Sequence, residues 1–475
     1  MNTKSVNEES QGTNVTHRFA SFMAQGFAFA DLPCDATTRL QQCLLDFIGV
    51  TAFAAVASES SNAIRNGVSR LVSANGEATV LGEKDGYPYA SAALLNGAFA
   101  HSLDFDDTNI YGSGHPGAPI IPVALAMAER VDASGEELLT ALAAGYETFC
   151  RVGAALGQTS YDRGFHITSI AGIYGAIAAG ARLLKMSPDD LANAWGLGGS
   201  MASGSMQYLE NGAWNKRLHP GKAAHDAILC LVFTETGVIG AKDALGGRFG
   251  TLAGYSNSPM PELLLQNVGT RWELTDTAIK PYPSCRFTHG AIDVALDMRH
   301  KIGANVTEDG RLSLQISPRA FQIVGGVERH KMVPGNVVDA QFSVYFQTAV
   351  ALLDGTVSWS SYERLADPEV LALTSRLKVE SDASLSSAGA VLRWTSCDGE
   401  STIIRREYPR GEPLGEALPW ELIETKFDDL AGALFNERQR QAIAAAVHRL
   451  PKLCSTAEWI LTLRDINSVK KLGTP

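Results

Sequence analysis

The chain has 475 residues and a formal net charge of −11, from 40 Lys and Arg against 51 Asp and Glu. Hydrophobic residues make up 45% and charged residues 19%, which is the composition of a globular protein and excludes a disordered or fibrous chain. The net acidity argues against a nucleic-acid-binding protein, because such proteins usually carry a basic face. The length is enough for two or three domains.

The seven cysteines stand far apart, with no CxxC pair and no Cys/His zinc spacing. This pattern predicts reduced thiols in a cytoplasmic protein, and it argues against a disulfide scaffold. The N-terminal stretch MNTKSVNEESQGTNVTHRF is polar and lacks the apolar core of a secretory signal. There is no run of about 18 consecutive apolar residues, so we predict no membrane-spanning helix.

The first 270 or so residues have the pattern of successive helices. Ser134 and Glu137 have the spacing of a capping box ahead of an apolar run. Ser187 followed by Pro188 is a second helix start, because proline is favoured at the first helical position. Segment 171–180 is rich in alanine and glycine, which allow helices to approach closely. These features predict a tightly packed helical domain.

The pattern changes after about residue 277. Leu312, Leu314 and Ile316 alternate with polar residues, which is the period of a strand. Segments 391–396 and 402–407 flank an Asp-Gly turn and predict a hairpin. A helix is predicted between these strands, over residues 341–353.

The helical period returns at Trp420 and continues toward the C-terminus. We therefore predict a mainly α protein with an α+β second domain. Residues 1–276 and 413–475 form the large all-helical domain, and residues 277–412 form a smaller α+β lid domain.

The densest polar cluster follows an apolar helical run. Asp104, Asp106 and Asp107 lie within four residues, with His101 before them and His115 after them on a Gly-rich loop. Adjacent carboxylates repel one another, so they need a metal, a cation, helix amides or protons as partners. The cluster is either a capped turn after a helix or a functional site. His101 lies on the apolar run and is expected in the core.

Two further segments carry groups suited to chemistry. His166 begins a helix of small residues, and the helix dipole there disfavours its protonated form, as suits a neutral base. Lys216, Arg217 and His219 lie on a basic loop, where Arg217 offers a planar fork and Lys216 a point charge to a carboxylate. The alternative to a functional role is a capping histidine for His166 and a solvent-exposed basic turn for the basic loop.

Lys280 lies at the boundary of the two predicted domains, where clefts are common. Cys285 and His289 follow it, but a thiol nucleophile pair would need an orienting group that is not evident, so a buried cysteine in a rigid linker is expected. The chain contains no GxSxG, Walker A or HExxH motif. The GLGG run at 196–199 has no predicted strand before it, so no dinucleotide loop and no cofactor is predicted.

Four segments, in this order, resemble the MmgE/PrpD family: HSLDFDDTN…GHPGAPIIPVALA, YDRGFHITSIAGIYGAIAAGA, NKRLHPGKAAHDAI and KPYPSCRFTHGAIDVAL. The resemblance extends over about residues 17–460. It implies a helical domain, an α+β lid, an active site between them that uses no cofactor, and a homodimer. The family includes 2-methylcitrate dehydratase, cis-aconitate decarboxylase and iminodisuccinate epimerase. The implied activity is therefore a cofactor-independent lyase of a small, anionic di- or tricarboxylic acid, or else an epimerase.

The resemblance, together with the basic loop, implies a set of site residues. The catalytic candidates are Asp104, His115, His166, Lys216 and Lys280. The substrate-binding candidates are Thr108, Arg217, His219 and Tyr345. His115 is the preferred acid/base, with Asp104 to orient it.

Family members often carry a tyrosine in the lid helix, at a position that Phe346 occupies here. Tyr345 lies one residue earlier, which turns a helical side chain by about 100°. This departure keeps the epimerase open as an alternative. Two other classes also stay open: a binding protein without activity, and a metal-dependent hydrolase whose ligands would be His101, Asp104, Asp106, Asp107 and His115.

Overall fold

The computed structural model describes residues 14–303, 306 and 310–464. Helix makes up 60% of the structure, and a small mixed sheet of four strands lies in the C-terminal region. This confirms the predicted fold class, a large helical part with a smaller α+β part.

The helices of the N-terminal half are separated by loops and short 3-10 turns. In chain order they are α1 (Val15–Gln25), α2 (Cys34–Ala57), α3 (Glu59–Val68), α4 (Tyr89–His101), α5 (Gly117–Val131), α6 (Gly135–Asp162), α7 (Ile167–Leu183), α8 (Pro188–Gly198), α9 (Asn215–Glu235) and α10 (Thr251–Tyr255).

The C-terminal half contains further helices and most of the strands. The helices are α11 (His289–Ile302), α12 (Pro318–Ala320), α13 (Arg329–Met332), α14 (Val337–Gln341), α15 (Val344–Asp354), α16 (Pro368–Arg376), α17 (Trp420–Ala431), α18 (Glu437–His448) and α19 (Ala457–Leu461). The strands among the described residues are β1 (Thr108–Asn109), β2 (Thr277–Ala278), β3 (Arg311–Ile316), β4 (Leu377–Ser381), β5 (Ala390–Thr395) and β6 (Ser401–Arg406).

Both predicted helix starts are confirmed. At α6, the Ser134 hydroxyl accepts a hydrogen bond from the Glu137 amide at 3.2 Å, and the Glu137 carboxylate accepts one from the Ser134 amide at 2.9 Å. At α8, Ser187 and Asp190 form the same reciprocal pair, with proline at the first helical position. Each cap satisfies amides that the helix leaves free and stabilises the fold by about 1 kcal/mol.

Glycines bring the helices around the site into close contact. A Cβ atom on Gly175 of α7 would lie 2.7 Å from the Gly145 carbonyl of α6. A Cβ on Gly97 of α4 would lie 2.9 Å from the Cα of Gly221 of α9. Larger residues would push these helices apart. The second contact sets the first turns of α9 against the end of α4.

The four-stranded sheet has the order β4-β3-β5-β6. Strand β3 is parallel to β4 and antiparallel to β5, and β5 is antiparallel to β6. The predicted hairpin is confirmed, although each strand begins one residue earlier than predicted. Leu312, Leu314 and Ile316 are buried on the core side of β3, as their alternation predicts.

The described hydrophobic residues form two cores, one in each half of the fold. The first contains residues of the N-terminal helices and also residues of α17 to α19, including Phe427. The second lies between α11, α15 and the four-stranded sheet. The short antiparallel pair β1–β2 joins the two regions, with Thr108 opposite Ala278. This pairing brings the loop after α4 next to Lys280.

Helix α2 is long and apolar enough to meet the length and composition test for a membrane span. In the structure, 83% of its most apolar window is buried against other parts of the protein, as in a core helix.

Candidate active site

A cavity of about 210 Å³ lies where the loop after α4, the starts of α7 and α9, and the first residues of the C-terminal half meet. It is smaller than the roughly 300–1,000 Å³ of pockets that hold drug-sized ligands, so it suits a small molecule. Five of the predicted site residues line it: Asp104, Thr108, His115, His166 and Lys216. Other polar or titratable side chains on its wall are Asn109, Ser113, Gln158, Tyr161, Thr168, Tyr208, Cys285, Arg286, Arg319, Ser387 and Glu412.

Asp104 is an ionised bridge between two buried lysines. Its backbone φ is 53°, a left-handed conformation that Asp tolerates better than most residues and that is often found at functional sites. One carboxylate oxygen accepts a hydrogen bond from Lys280 Nζ at 2.6 Å, and the other lies 2.9 Å from Lys216 Nζ. Burial alone would raise the pKa of Asp104, but the two ammonium groups outweigh it and hold that pKa well below its usual range.

The two lysines are not equivalent. Lys280 Nζ donates to Asp104 Oδ1, to the Asp104 carbonyl at 2.8 Å and to the Ser284 carbonyl at 3.0 Å. An ammonium group has three donors, so Lys280 is saturated by the protein, and it is absent from the described cavity wall. Lys216 Nζ is buried at the cavity, where it forms an ion pair with Asp104 Oδ2 at 2.9 Å but donates no hydrogen bond to the described residues. Lys216 is therefore the lysine available to a substrate carboxylate.

Asp106 holds two histidines. As a carboxylate it only accepts, so His101 donates to it from Nδ1, at 2.7 Å. His115 Nδ1 lies 3.2 Å from the same oxygen, and His115 Nε2 lies 3.9 Å from Asp104 Oδ1. Burial lowers the pKa of His101 to about 3 and also lowers that of His115, against the pull of Asp106. Both rings are thus neutral at pH 7, and Asp106 rather than Asp104 orients His115.

Asp107 fixes the Gly-rich loop and does not reach the cavity. It accepts a hydrogen bond from the Tyr146 hydroxyl at 2.6 Å and one from the Gly117 amide at 2.9 Å. A Cβ atom on Gly117 would lie 2.7 Å from the Asp107 carboxylate, so the loop requires glycine there. Burial raises the pKa of Asp107 to about 7, and Asp106 adds to the rise. The three adjacent carboxylates thus have three different kinds of partner.

His166 is the N-cap residue of α7. Its Nδ1 lies 3.0 Å from Nδ1 of His219, which stands in the first turns of α9. Burial lowers the pKa of His166 well below its usual range, and the neighbouring His219 adds to that. His166 is therefore a second neutral imidazole on the cavity wall, held from behind by His219.

Three predicted binding residues, Arg217, His219 and Tyr345, lie behind the described cavity wall. Arg217 donates to the His101 carbonyl at 2.9 Å and to the side-chain oxygen of Gln341, so its fork braces the end of α4. Tyr345 is buried, and its hydroxyl donates to the Gly325 carbonyl at 3.2 Å. The cavity instead has Tyr161 and Tyr208, which sequence reasoning passed over. His219, which also lies behind the wall, touches His166.

Cys285 lines the cavity but forms no thiol–imidazole pair with His289. Burial raises the pKa of the Cys285 thiol to about 11, with Asp104 adding to the rise, so the thiolate is disfavoured. His289 Nε2 donates to the Ser284 carbonyl at 3.2 Å, and its Nδ1 accepts from Arg286 at 3.1 Å. Cys285 is buried, as expected.

Lys426 of α17 braces the site from the far end of the chain. Its buried Nζ donates to the carbonyls of Phe105 and Lys280, each at 2.9 Å, and lies 2.6 Å from Asp46 of α2. It also lies 3.7 Å from the centre of the Phe105 ring. One ammonium group thus ties the two segments that supply Asp104 and Lys280. Nothing in the local sequence around Lys426 indicates this contact.

Replacing Lys426 with methionine should destabilise the protein by about 3–5 kcal/mol, because Asp46 would keep a buried, uncompensated charge. Chemical denaturation measures the change. The double variant Asp46→Asn with Lys426→Met removes both charges and should recover part of the loss. A Lys426→Met protein as stable as the native one would contradict this stabilising role of Lys426.

The fold and the cavity define a two-part protein in which a lysine, an aspartate and two neutral histidines meet at the junction of a helical domain and an α+β domain. The chain belongs to the MmgE/PrpD family, since residues 17–264 match the MmgE/PrpD N-terminal domain and residues 282–451 match the MmgE/PrpD C-terminal domain. The family resemblance of the four motifs is thereby confirmed.

The chain is also similar to individual enzymes of this family. The chain is 25% identical to a cis-aconitate decarboxylase of Aspergillus terreus over 479 residues, which covers 95% of this chain and 96% of the relative. It is 28% identical to the cis-aconitate decarboxylases of Homo sapiens and Mus musculus, in each case over 77% of this chain and 76% of the relative. These relatives support a lyase of this family.

Proposed function

We propose that the protein is a cofactor-independent lyase that removes carbon dioxide or water from a small di- or tricarboxylic acid. One observation carries this proposal. Lys216 lines the same small cavity as His115 and His166, and its buried ammonium group, which forms an ion pair with Asp104 at 2.9 Å, has donors that no described residue accepts. A substrate carboxylate would satisfy the ammonium group, and a carbon next to that carboxylate would lie within reach of an imidazole.

The cavity suits chemistry that builds negative charge. In a buried site the Lys216 ammonium acts in a low dielectric, where it stabilises an enolate-like state far better than in water. In decarboxylation the carbon–carbon bond breaks, carbon dioxide leaves, and the electron pair stays on the remaining acid. A neutral histidine then delivers a proton to carbon. In dehydration one histidine removes a proton from carbon, the carbon–oxygen bond breaks, and the other histidine protonates the leaving hydroxide.

The names of the relatives make cis-aconitate the first substrate to test. We expect a proton NMR time course in deuterated buffer to show loss of carbon dioxide from cis-aconitate, with deuterium entering the product. Citrate, 2-methylcitrate, trans-aconitate and iminodisuccinate complete the panel. Loss of water from a citrate would support the dehydratase form of the same proposal. No reaction with any of the five acids would overturn the proposed substrate class.

An epimerase is a second candidate, since the cavity wall carries two neutral histidines on separate elements. His115 precedes α5 and His166 caps α7. Two such groups can remove a proton from one face of a carbon and return it to the other. In the same NMR panel, exchange or inversion at iminodisuccinate without loss of carbon dioxide or water would favour this candidate over the lyase.

The metal-dependent hydrolase is less well supported. Three of its five predicted ligands, His101, Asp106 and His115, have donor atoms within 4.8 Å of one another, while Asp104 and Asp107 pair elsewhere. The donors of His101 and Asp106 are already joined by a hydrogen bond at 2.7 Å, which a metal would have to replace. Elemental analysis tests this reading: a stoichiometric metal whose removal by a chelator abolishes activity would establish it against the lyase proposal.

A further inference from the structure

His166 and His219 form a direct contact between the cavity and the outside of the domain. The His166 ring lines the cavity, whereas His219 lies behind it and is partly exposed to solvent. Their Nδ1 atoms are 3.0 Å apart, which is a hydrogen-bond distance. The ring centroids are 5.2 Å apart, so the two imidazoles are neighbours without an intervening side chain.

A hydrogen bond between two Nδ1 atoms needs one proton for the pair. One ring donates from Nδ1–H and the other accepts, so the neutral rings hold opposite tautomers. If His219 donates, His166 carries its own proton on Nε2 and is an acid. If His166 donates, its Nε2 is bare and it is a base.

The surroundings favour neutral rings. Lys216 and Lys222 lie on the same helix as His219, and the Tyr208 ring contacts both imidazoles. Burial lowers the pKa of His219 to about 4, and the two lysines add to this. A doubly protonated ring would therefore be costly in this place, and a tautomer exchange avoids that charge.

We propose that His219 relays protons between solvent and His166, so that His166 acts on the substrate as a neutral acid or a neutral base. This inference rests on the proposed function. In the forward step, His166 gives its Nε2 proton to a substrate carbon, receives the Nδ1 proton of His219, and His219 takes a proton from water at Nε2. One proton enters, one leaves, and both rings stay neutral. The reverse step carries a proton from substrate to solvent.

During the reaction the bound substrate excludes water from a cavity of about 210 Å³, so His166 cannot exchange protons with water directly and the relay supplies them. A net forward step leaves both rings in the exchanged tautomers. Water that enters after product release gives His166 a proton at Nε2, the shared Nδ1 proton returns from His166 to His219, and His219 releases its Nε2 proton to solvent. His219 is thus a positioning and relay residue, and it does not itself touch the substrate.

The first test needs no substrate. Nitrogen-15 NMR of the whole protein, labelled at histidine, reports which ring nitrogens carry protons, and the His219→Asn variant assigns the pair. We expect one protonated Nδ1 shared by His166 and His219 at neutral pH. Spectra in which both rings are protonated only at Nε2 would overturn the relay. This result is independent of whether any acid in the panel is a substrate.

The second test uses a substrate of the panel. His219→Asn keeps an amide that can hydrogen-bond to His166 but cannot pass a proton on, so kcat should fall about tenfold, less than the roughly 10²–10⁴-fold of a direct acid/base. KM should stay within about twofold, and imidazole should restore the His219→Ala variant. Full kcat in His219→Asn would overturn the relay. His225→Asn, on the same helix, is the matched control and should keep native rates.

Discussion

Replacing His115 with alanine should reduce kcat by roughly 10²–10⁴-fold while the protein remains folded. The imidazole lies on the cavity wall, with Nδ1 held 3.2 Å from Asp106 and Nε2 turned toward Asp104. The loop does not depend on the ring, because the His115 backbone amide donates to the Thr168 hydroxyl at 3.2 Å. Steady-state kinetics measure the loss, and circular dichroism and a denaturation curve confirm the fold.

The pH profile gives the same variant a second readout. Burial lowers the pKa of His115 below 6.5, so its neutral form dominates at pH 7. If that form is the base, kcat/KM falls only when the pH drops through this lowered pKa, and the acid limb lies below pH 6.5. The limb should vanish in His115→Ala. His225→Ala serves as the control, and near-native turnover in His115→Ala would remove His115 from the mechanism.

Features encoded by neighbouring residues could be predicted from the sequence. The capping boxes at Ser134 and Ser187 and the strand at Leu312 follow from spacing within a few residues, and the structure has them. The need of Asp104, Asp106 and Asp107 for partners follows from charge alone. Which partner each carboxylate has depends on helices that meet only in the folded chain. The local spacing therefore could not decide between a metal, a cation, helix amides and a proton.

The direction in which side chains point could not be predicted from the sequence. Arg217 is adjacent to Lys216, but the next position on a helix points about 100° away, and its fork meets Gln341, which is 124 residues distant. Lys426 reaches Phe105 across 321 residues. No short motif marks such contacts, because they arise from how the C-terminal helices pack on the N-terminal domain.

The two site lysines should respond in opposite ways to the same substitution. Lys216→Met should lower kcat/KM by about 10²–10³-fold, as expected when one preorganised charge at the reacting group is removed. Its stability should change little, because Asp104 keeps its hydrogen bond from Lys280. Lys280→Met should instead cost about 3–5 kcal/mol, since it removes three hydrogen bonds to buried acceptors, Asp104 Oδ1, the Asp104 carbonyl and the Ser284 carbonyl, although Asp104 keeps its ion pair with Lys216.

Measuring both quantities on both variants separates the roles. The midpoint and slope of chemical denaturation report stability, and kcat/KM with cis-aconitate reports the reaction. We expect activity to fall in Lys280→Met as well, because Asp104 loses the contact that holds its left-handed backbone. In that variant, unlike in Lys216→Met, the loss of activity is accompanied by a loss of stability. Lys216→Met with native kcat/KM would refute its role as the substrate's cation. A Lys280→Met protein as stable as the native one would show that the hydrogen bonds of this fully buried ammonium group do not stabilise the fold.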